Sequence, residues 1–238
     1  MPFRHDYSVI IPPEIEYWRD ETAYSNDDGK VLSIALSRYN GARIFCDAEC
    51  FAPGSIILTR SFSEIGSKAI ASYQALLFDN EHHSQWSHIA ILDSKQNVWD
   101  INPSKNVQCR TISGFLDGVD KFHVRNVNRI VNAELLDEII AEQADAKYPA
   151  LERADFIRYF LDTMLMVHGK KPMVNKIPPI SGAELICSMY VDRIIREAFW
   201  IEPLPESKPP LALPGHFASS SAFDCVDIGS RIFWASGV

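Results

Sequence analysis

The sequence predicts an α+β fold in which a mostly antiparallel sheet or barrel packs against helices. From Val31 to Val127 the chain is a series of short β-type runs split by turn residues, and the stretches that interrupt or follow them repeat their apolar residues at helical spacing. With 238 residues, 47% of them hydrophobic, the chain has apolar material for one sizeable core. A single domain over 1–238 is therefore expected, with an irregular lead-in at 1–30, a core at about 31–200 and a Pro-rich segment with a terminal strand at 201–238.

The strand runs are Val31 to Ser37, Ala42 to Cys46, Ser55 to Thr59, Ser87 to Leu92, Asn97 to Ile101, Val107 to Ile112 and Lys121 to Val127. Asn40-Gly41, Pro53-Gly54 and Asp93-Ser94-Lys95 supply turns between them. A helix is expected from Ser63 to Phe78, with Ser63 as its N-cap and Ile65, Ala69, Tyr73, Leu76 and Leu77 on one face. Asn132 caps a second helix, whose apolar face is Leu135, Leu136, Ile139, Ile140 and Ala144. A third runs from about Leu151 to His168, ahead of Gly169.

A Pro-rich connector, Lys176 to Pro179, leads to a fourth helix with Leu185, Met189, Ile194, Ile195 and Phe199 as apolar positions. Glu202 to Gly215, rich in proline, reads as an extended surface segment, and Phe217 to Val238 as a return to the sheet ending in the strand Arg231 to Trp234.

Charge and cysteine usage narrow the function. A formal net charge of −8 gives no general attraction to nucleic acid or anionic lipid. No run approaches the roughly 20 apolar residues of a membrane span, and Val9-Ile10-Ile11 is stopped at once by Pro12-Pro13, so a soluble protein without a general secretory signal is expected. Five cysteines at irregular spacings (Cys46, Cys50, Cys109, Cys187, Cys225) make a poor disulfide framework and fit a reducing compartment. Cys46 and Cys50 lack a second ligand pair at zinc spacing.

A thiol attacks carbonyls as thiolate, and a helix N-terminus beside an imidazole favours that form. Cys187 lies near the start of the fourth helix. If the helix begins at Cys187 the thiol faces outward; if Ser181-x-x-Glu184 is a capping box, Cys187 is buried in the second turn. His88 opens the run His88-Ile89-Ala90-Ile91-Leu92, in which alternation puts His88, Ala90 and Leu92 on one face. Asp100 lies on the next run, so a hairpin can set its carboxylate against the imidazole, fix the tautomer and leave the other ring nitrogen for a thiol. An Asp100→Asn substitution would still offer an oxygen to the same N–H.

These segments together resemble a known family. Pro53-Gly54-Ser55-Ile56-Ile57-Leu58-Thr59, Ser87-His88-Ile89-Ala90-Ile91, Val98-Trp99-Asp100 and Ile186-Cys187-Ser188-Met189-Tyr190-Val191 are similar, in that order, to motifs of the circularly permuted NlpC-type papain-like hydrolases, which include YiiX-like proteins and relatives of lecithin retinol acyltransferase. Two positions depart from the family pattern: Ser55 stands for an aspartate, and Met189 where relatives often carry glutamate.

The resemblance implies a permuted papain-like fold with Cys187 as nucleophile, His88 as its base and Asp100 orienting the histidine, acting on an amide, ester or thioester without metal or organic cofactor. Trp86, Trp99 and Tyr148 are expected beside the cleft. The substrate is expected to be a peptide or other acyl compound, with bacterial peptidoglycan in view and delivery by a specialised secretion machine as an antibacterial effector. In that case immunity or secretion partners follow. Acyl transfer or thioester cleavage on lipid or small-molecule acyl groups is the alternative chemistry. A non-catalytic binding module and a metal hydrolase built on His82, His83, His88 and Asp100 are the rivals.

Overall fold

A computed structural model describes residues 9–10, 31–36, 42–102, 106–147, 186–204, 212–226 and 233–235. The expected helix at 151–168, the connector at 176–179, Tyr148, the Ser181-x-x-Glu184 box and most of the lead-in lie outside them. Strands β1 (Val9–Ile10), β2 (Val31–Leu36), β3 (Ala42–Asp47) and β4 (Ile56–Arg60) precede helices α1 (Ile65–Gln74) and α2 (Glu81–Ser84). Next come β5 (His88–Leu92), β6 (Asn97–Asn102), β7 (Asn106–Thr111), α3 (Ile112–Leu116), β8 (Lys121–Val127) and α4 (Ala133–Glu142). Helices α5 (Cys187–Phe199) and α6 (Pro214–Ser219) and strands β9 (Phe223–Cys225) and β10 (Phe233–Ala235) complete the described elements.

The larger sheet runs β1-β8-β4-β5-β6-β7, with β9 also on β8, and its pairs are antiparallel. Strands β1 and β9 share one edge of β8, opposite 121–122 and 125–127 respectively. A smaller antiparallel sheet, β10-β3-β2, is hydrogen-bonded separately from it. The fold is thus α+β, an antiparallel sheet packed with helices.

Period-two alternation sends the central strands into two cores. Ile56, Leu58, Ile89, Ile91 and Ile101 pack with Leu136 and Ile140 of α4 and with Tyr190, Val191, Ile194 and Ile195 of α5. Ile57, Ala90, Leu92, Val98, Phe122 and Val124 pack with Ile34 and Ile44 of the smaller sheet and Phe115 and Leu116 of α3. Burial on both faces explains why β4 and β5 read as continuous apolar runs. Each fully buried Ile or Leu contributes about 1.5–3 kcal/mol.

The turn into β4 needs its glycine. Ser55 N–H donates to Ala52 C=O at 3.0 Å across Pro53-Gly54, and Gly54 has φ +77°, the geometry of a type II turn with Pro second and Gly third. A Cβ on Gly54 would stand 2.6 Å from the Phe199 ring at the end of α5. The buried Ser55 hydroxyl donates to Asn126 Oδ1 at 2.6 Å, so the serine supplies a hydrogen bond of its own.

Three expectations are corrected. Helix α1 begins at Ile65 with Glu64 at its N-cap, so Ser63 does not cap it; Ser67 Oγ instead accepts the Ser61 N–H at 3.1 Å. It ends at Gln74, whose amide accepts Gly215 N–H and donates to the carbonyls of Ser84 and Trp86, leaving Leu76 exposed beyond it. Residues 212–215 are buried rather than extended on the surface, and Pro214 opens α6, where a missing N–H costs nothing. The buried Arg125 guanidinium donates to the carbonyls of Phe217, Ala218, Ser220 and Phe223, which satisfies the C-terminal end of α6. The last strand, Phe233–Ala235, joins the smaller sheet beside β3.

Candidate functional site

Ile186 has extended backbone (φ −87°, ψ 166°), and Cys187 is the first residue of α5. That settles the helix start left open by the sequence. Tyr190 N–H is the first to find an intrahelical acceptor, Ile186 C=O at 2.9 Å. The N–H groups of Cys187, Ser188 and Met189 precede it, and isoleucine at the N-cap offers them no side-chain acceptor. Ser188 Oγ donates to Ala212 C=O at 2.6 Å and ties this first turn to the segment leading into α6. Met189 packs at the margin of the helical core.

His88 opens β5 opposite Thr59 of β4, with 24% of its side chain exposed. Its Nε2 lies 2.8 Å from Asp100 Oδ2, and Asp100 is fully buried. Cys187 lines the same cleft as His88 and lies close enough for its charge to raise the imidazole pKa. With Nε2 committed to Asp100, Nδ1 is the nitrogen left for the sulfur. The structure thus brings together all three residues singled out from the sequence.

Arg110 was not foreseen. It sits on β7 two residues from Gln108, the partner of Asp100 across the β6–β7 ladder, and so faces the same side as Asp100. Its Nη2 donates to Asp100 Oδ1 at 2.8 Å, and its guanidinium lies 5.0 Å from the Phe115 ring centroid. The Phe115 ring in turn lies 6.0 Å from that of His88. The usable signal was parity: Arg110 and Asp100 become neighbours once the runs 97–101 and 107–112 are paired as a hairpin.

Burial opposes a charged His88, but the charge of Cys187 and the hydrogen bond to Asp100 outweigh it and push the imidazole pKa up to about 10. Burial would raise Asp100, yet the hydrogen bond and charge of His88, followed by those of Arg110, hold it below the ordinary carboxylate range.

Cys187, His88, Arg110 and Asn102 open onto a cleft of about 500 Å3 between α1, α3 and the end of the sheet. On its α1 side the hydrogen bonds have one direction. Ser87 Oγ donates to Thr59 C=O (3.3 Å), so in the 2.6 Å contact with Ser67 it accepts, and Ser67 Oγ accepts from Ser61 N–H. This chain anchors the residue preceding His88 and leaves neither hydroxyl a spare proton.

Of the expected cleft aromatics, Trp86 and Trp99 lie elsewhere. Trp86 is fully buried, with Nε1 donating to His82 C=O and its ring beside His123. Trp99 borders a separate cavity of about 250 Å3 with Asp137 and Ile140, and donates to Asp93 Oδ2. His82 and His83 lie on the single turn α2. Among the described residues no three His, Cys, Asp or Glu side chains converge at metal-ligand distance. Cys46 and Cys50 are buried, and burial, with the charges of Cys50 and Asp47, pushes the Cys46 thiol up to about 12. Cys109 and Cys225 are exposed.

No family model matches this chain, and no curated protein does. Among solved structures it is similar to the metalloprotein yiiX of Escherichia coli O157:H7, at 14% identity and a TM-score of 0.48, over 74% of this chain and 96% of that one. The description as a metalloprotein belongs to the E. coli protein. No helix among the described residues is long and apolar enough to cross a membrane.

Proposed function

We propose that this chain is a papain-like cysteine hydrolase of the permuted NlpC type, a single domain in which Cys187 is the nucleophile, His88 its proton carrier and Asp100 the orienting carboxylate. One observation carries the reading: a cysteine at the first position of a helix shares a cleft wall with a histidine whose Nε2 is bonded to a buried carboxylate. The order of histidine strand before cysteine helix supports the permuted arrangement.

At neutral pH His88, its pKa pushed up to about 10, carries a proton. The Cys187 sulfur attacks the substrate carbonyl carbon, and the oxygen that becomes negative is met by N–H groups of the first turn of α5. His88 then delivers its Nδ1 proton to the departing amine, the C–N bond breaks and a thioester to Cys187 remains. His88, now neutral, takes a proton from water, whose oxygen adds to the thioester; the acid leaves and the proton returns to the pair. Asp100 keeps the Nε2–H direction fixed throughout. An alcohol or thiol acceptor in place of water would give acyl transfer.

The substrate class proposed is an amide of bacterial peptidoglycan peptides, and the role that of an antibacterial effector. Mass spectrometry of a peptidoglycan digest is expected to show one new cleavage with the wild type and none with Cys187→Ala. Expression directed to the bacterial periplasm should lyse cells while cytoplasmic expression does not. Full activity in Cys187→Ala, or activity lost with stoichiometric zinc on chelation, would overturn the cysteine mechanism.

A further inference from the structure

Asp100 serves two donors at once. Its Oδ2 meets His88 Nε2 and its Oδ1 meets Arg110 Nη2, each at 2.8 Å, and the carboxylate is fully buried. Arginine has no acceptor, and neither has a protonated imidazole. The group between them must therefore present two acceptor oxygens, which an ionised carboxylate does and an amide or carboxylic acid does not. Arg110 Nε is buried with no hydrogen-bond partner among the described residues, so Asp100 is the acceptor seen to hold this head group over Phe115.

Resting on the Cys187–His88 reading above, we propose that Arg110 is a positioning residue of the site: it keeps Asp100 ionised and turned so that Asp100 in turn holds His88 toward Cys187. The consequence bears on an expectation drawn from the sequence, that an asparagine in place of Asp100 still offers an oxygen to the same N–H. With Arg110 in place, the single amide oxygen of the Asp100→Asn side chain goes to the permanent charge of the guanidinium. Its NH2 then faces His88 Nε2, which must become the acceptor. The ring proton moves to Nδ1 on a neutral imidazole, and the imidazolium that sustains the Cys187 thiolate is lost. Removing the guanidinium from the Asp100→Asn protein frees the amide oxygen to accept from Nε2–H again, so the second substitution repairs the first.

The test needs no substrate. Alkylation of Cys187 by iodoacetamide is followed from pH 5 to 9 by peptide mapping of the full chain, as wild type, Arg110→Met, Arg110→Lys, Asp100→Asn and Asp100→Asn/Arg110→Met, with near-ultraviolet circular dichroism confirming the fold. Loss of an opposite charge at this distance should move the low-pH limb of Arg110→Met upward by about one pH unit, and Arg110→Lys should recover most of that shift. Asp100→Asn should lose about tenfold in rate at pH 6, and the double variant should regain several-fold over it. Arg110→Gln, neutral but polar, carries the first comparison if Arg110→Met does not fold.

A wild-type profile in the neutral Arg110 variants, or a double variant no more reactive than Asp100→Asn, overturns the positioning role while the dyad stands. If wild-type Cys187 shows no preference over the other cysteines, or ignores His88→Ala, the dyad falls and the role of Arg110 falls with it.

Discussion

His88 Nε2 and Asp100 Oδ2 stand 2.8 Å apart across the β5–β6 hairpin, and the carboxylate has no solvent exposure. A contact made by a buried charge at one end and a half-buried ring at the other acts mechanically as well as electrostatically: it fixes the ring plane.

Asp100→Ala is accordingly expected to lower turnover by about a hundredfold without abolishing it, since an orienting group contributes less than the nucleophile it serves. It also leaves Arg110 without its carboxylate and should cost about 2–3 kcal/mol in a urea titration. Undiminished turnover in a folded Asp100→Ala protein would move the orienting role elsewhere, with Asn102, which also lines the cleft, as the next residue to test.

The pH dependence of stability follows from the same contacts. His88 titrates near 10 in the folded protein and near its ordinary 6.5 when unfolded, so its stabilisation is complete below about pH 6.5 and is lost as the pH rises toward 10. Asp100 is held below its ordinary value, so its contribution is present above about pH 4 and disappears on further acidification. The thermal midpoint should therefore decline from pH 7 to 10 in the wild type and decline less in His88→Ala. Parallel curves for the two proteins would contradict this.

Gly54→Ala should destabilise the fold by about 2–4 kcal/mol, the sum of a left-handed backbone and a side chain forced into a packed ring. The methyl would meet the Phe199 ring at 2.6 Å with φ at +77°. In a Phe199→Leu background the steric part shrinks and only the backbone part remains, so the cost of Gly54→Ala should roughly halve. An equal cost in both backgrounds would show that the ring does not set it.

Much of this was legible locally. Strands β2 to β8 fall within about two residues of the runs marked by alternation and turn chemistry, and the Asn132 cap is made, its side chain accepting Leu135 N–H. The His88–Asp100 contact was legible because a short hairpin constrains it. What was missed depends on distant partners. Pro214 suggested an extended segment, but α6 is held by Gln74 and by Arg125, 141 and about 90 residues away. Trp86 reads as a cleft aromatic until His123 and Lys121 of β8 are seen closing over it. Arg110 is an ordinary strand residue until the register places it beside Asp100.

The central claim is the Cys187–His88 dyad, and alkylation of each cysteine near pH 6 tests it most directly. In the native wild type, iodoacetamide should label Cys187 ahead of Cys46 and Cys50, which are buried, and also ahead of Cys109 and Cys225, which are more exposed than Cys187. His88→Ala should abolish most of that lead, because the imidazolium that sustains the thiolate is gone while access to the sulfur is unchanged. Labelling of Cys187 no faster than that of Cys109 and Cys225, or labelling indifferent to His88, would contradict the dyad and leave the chain without the activity proposed for it.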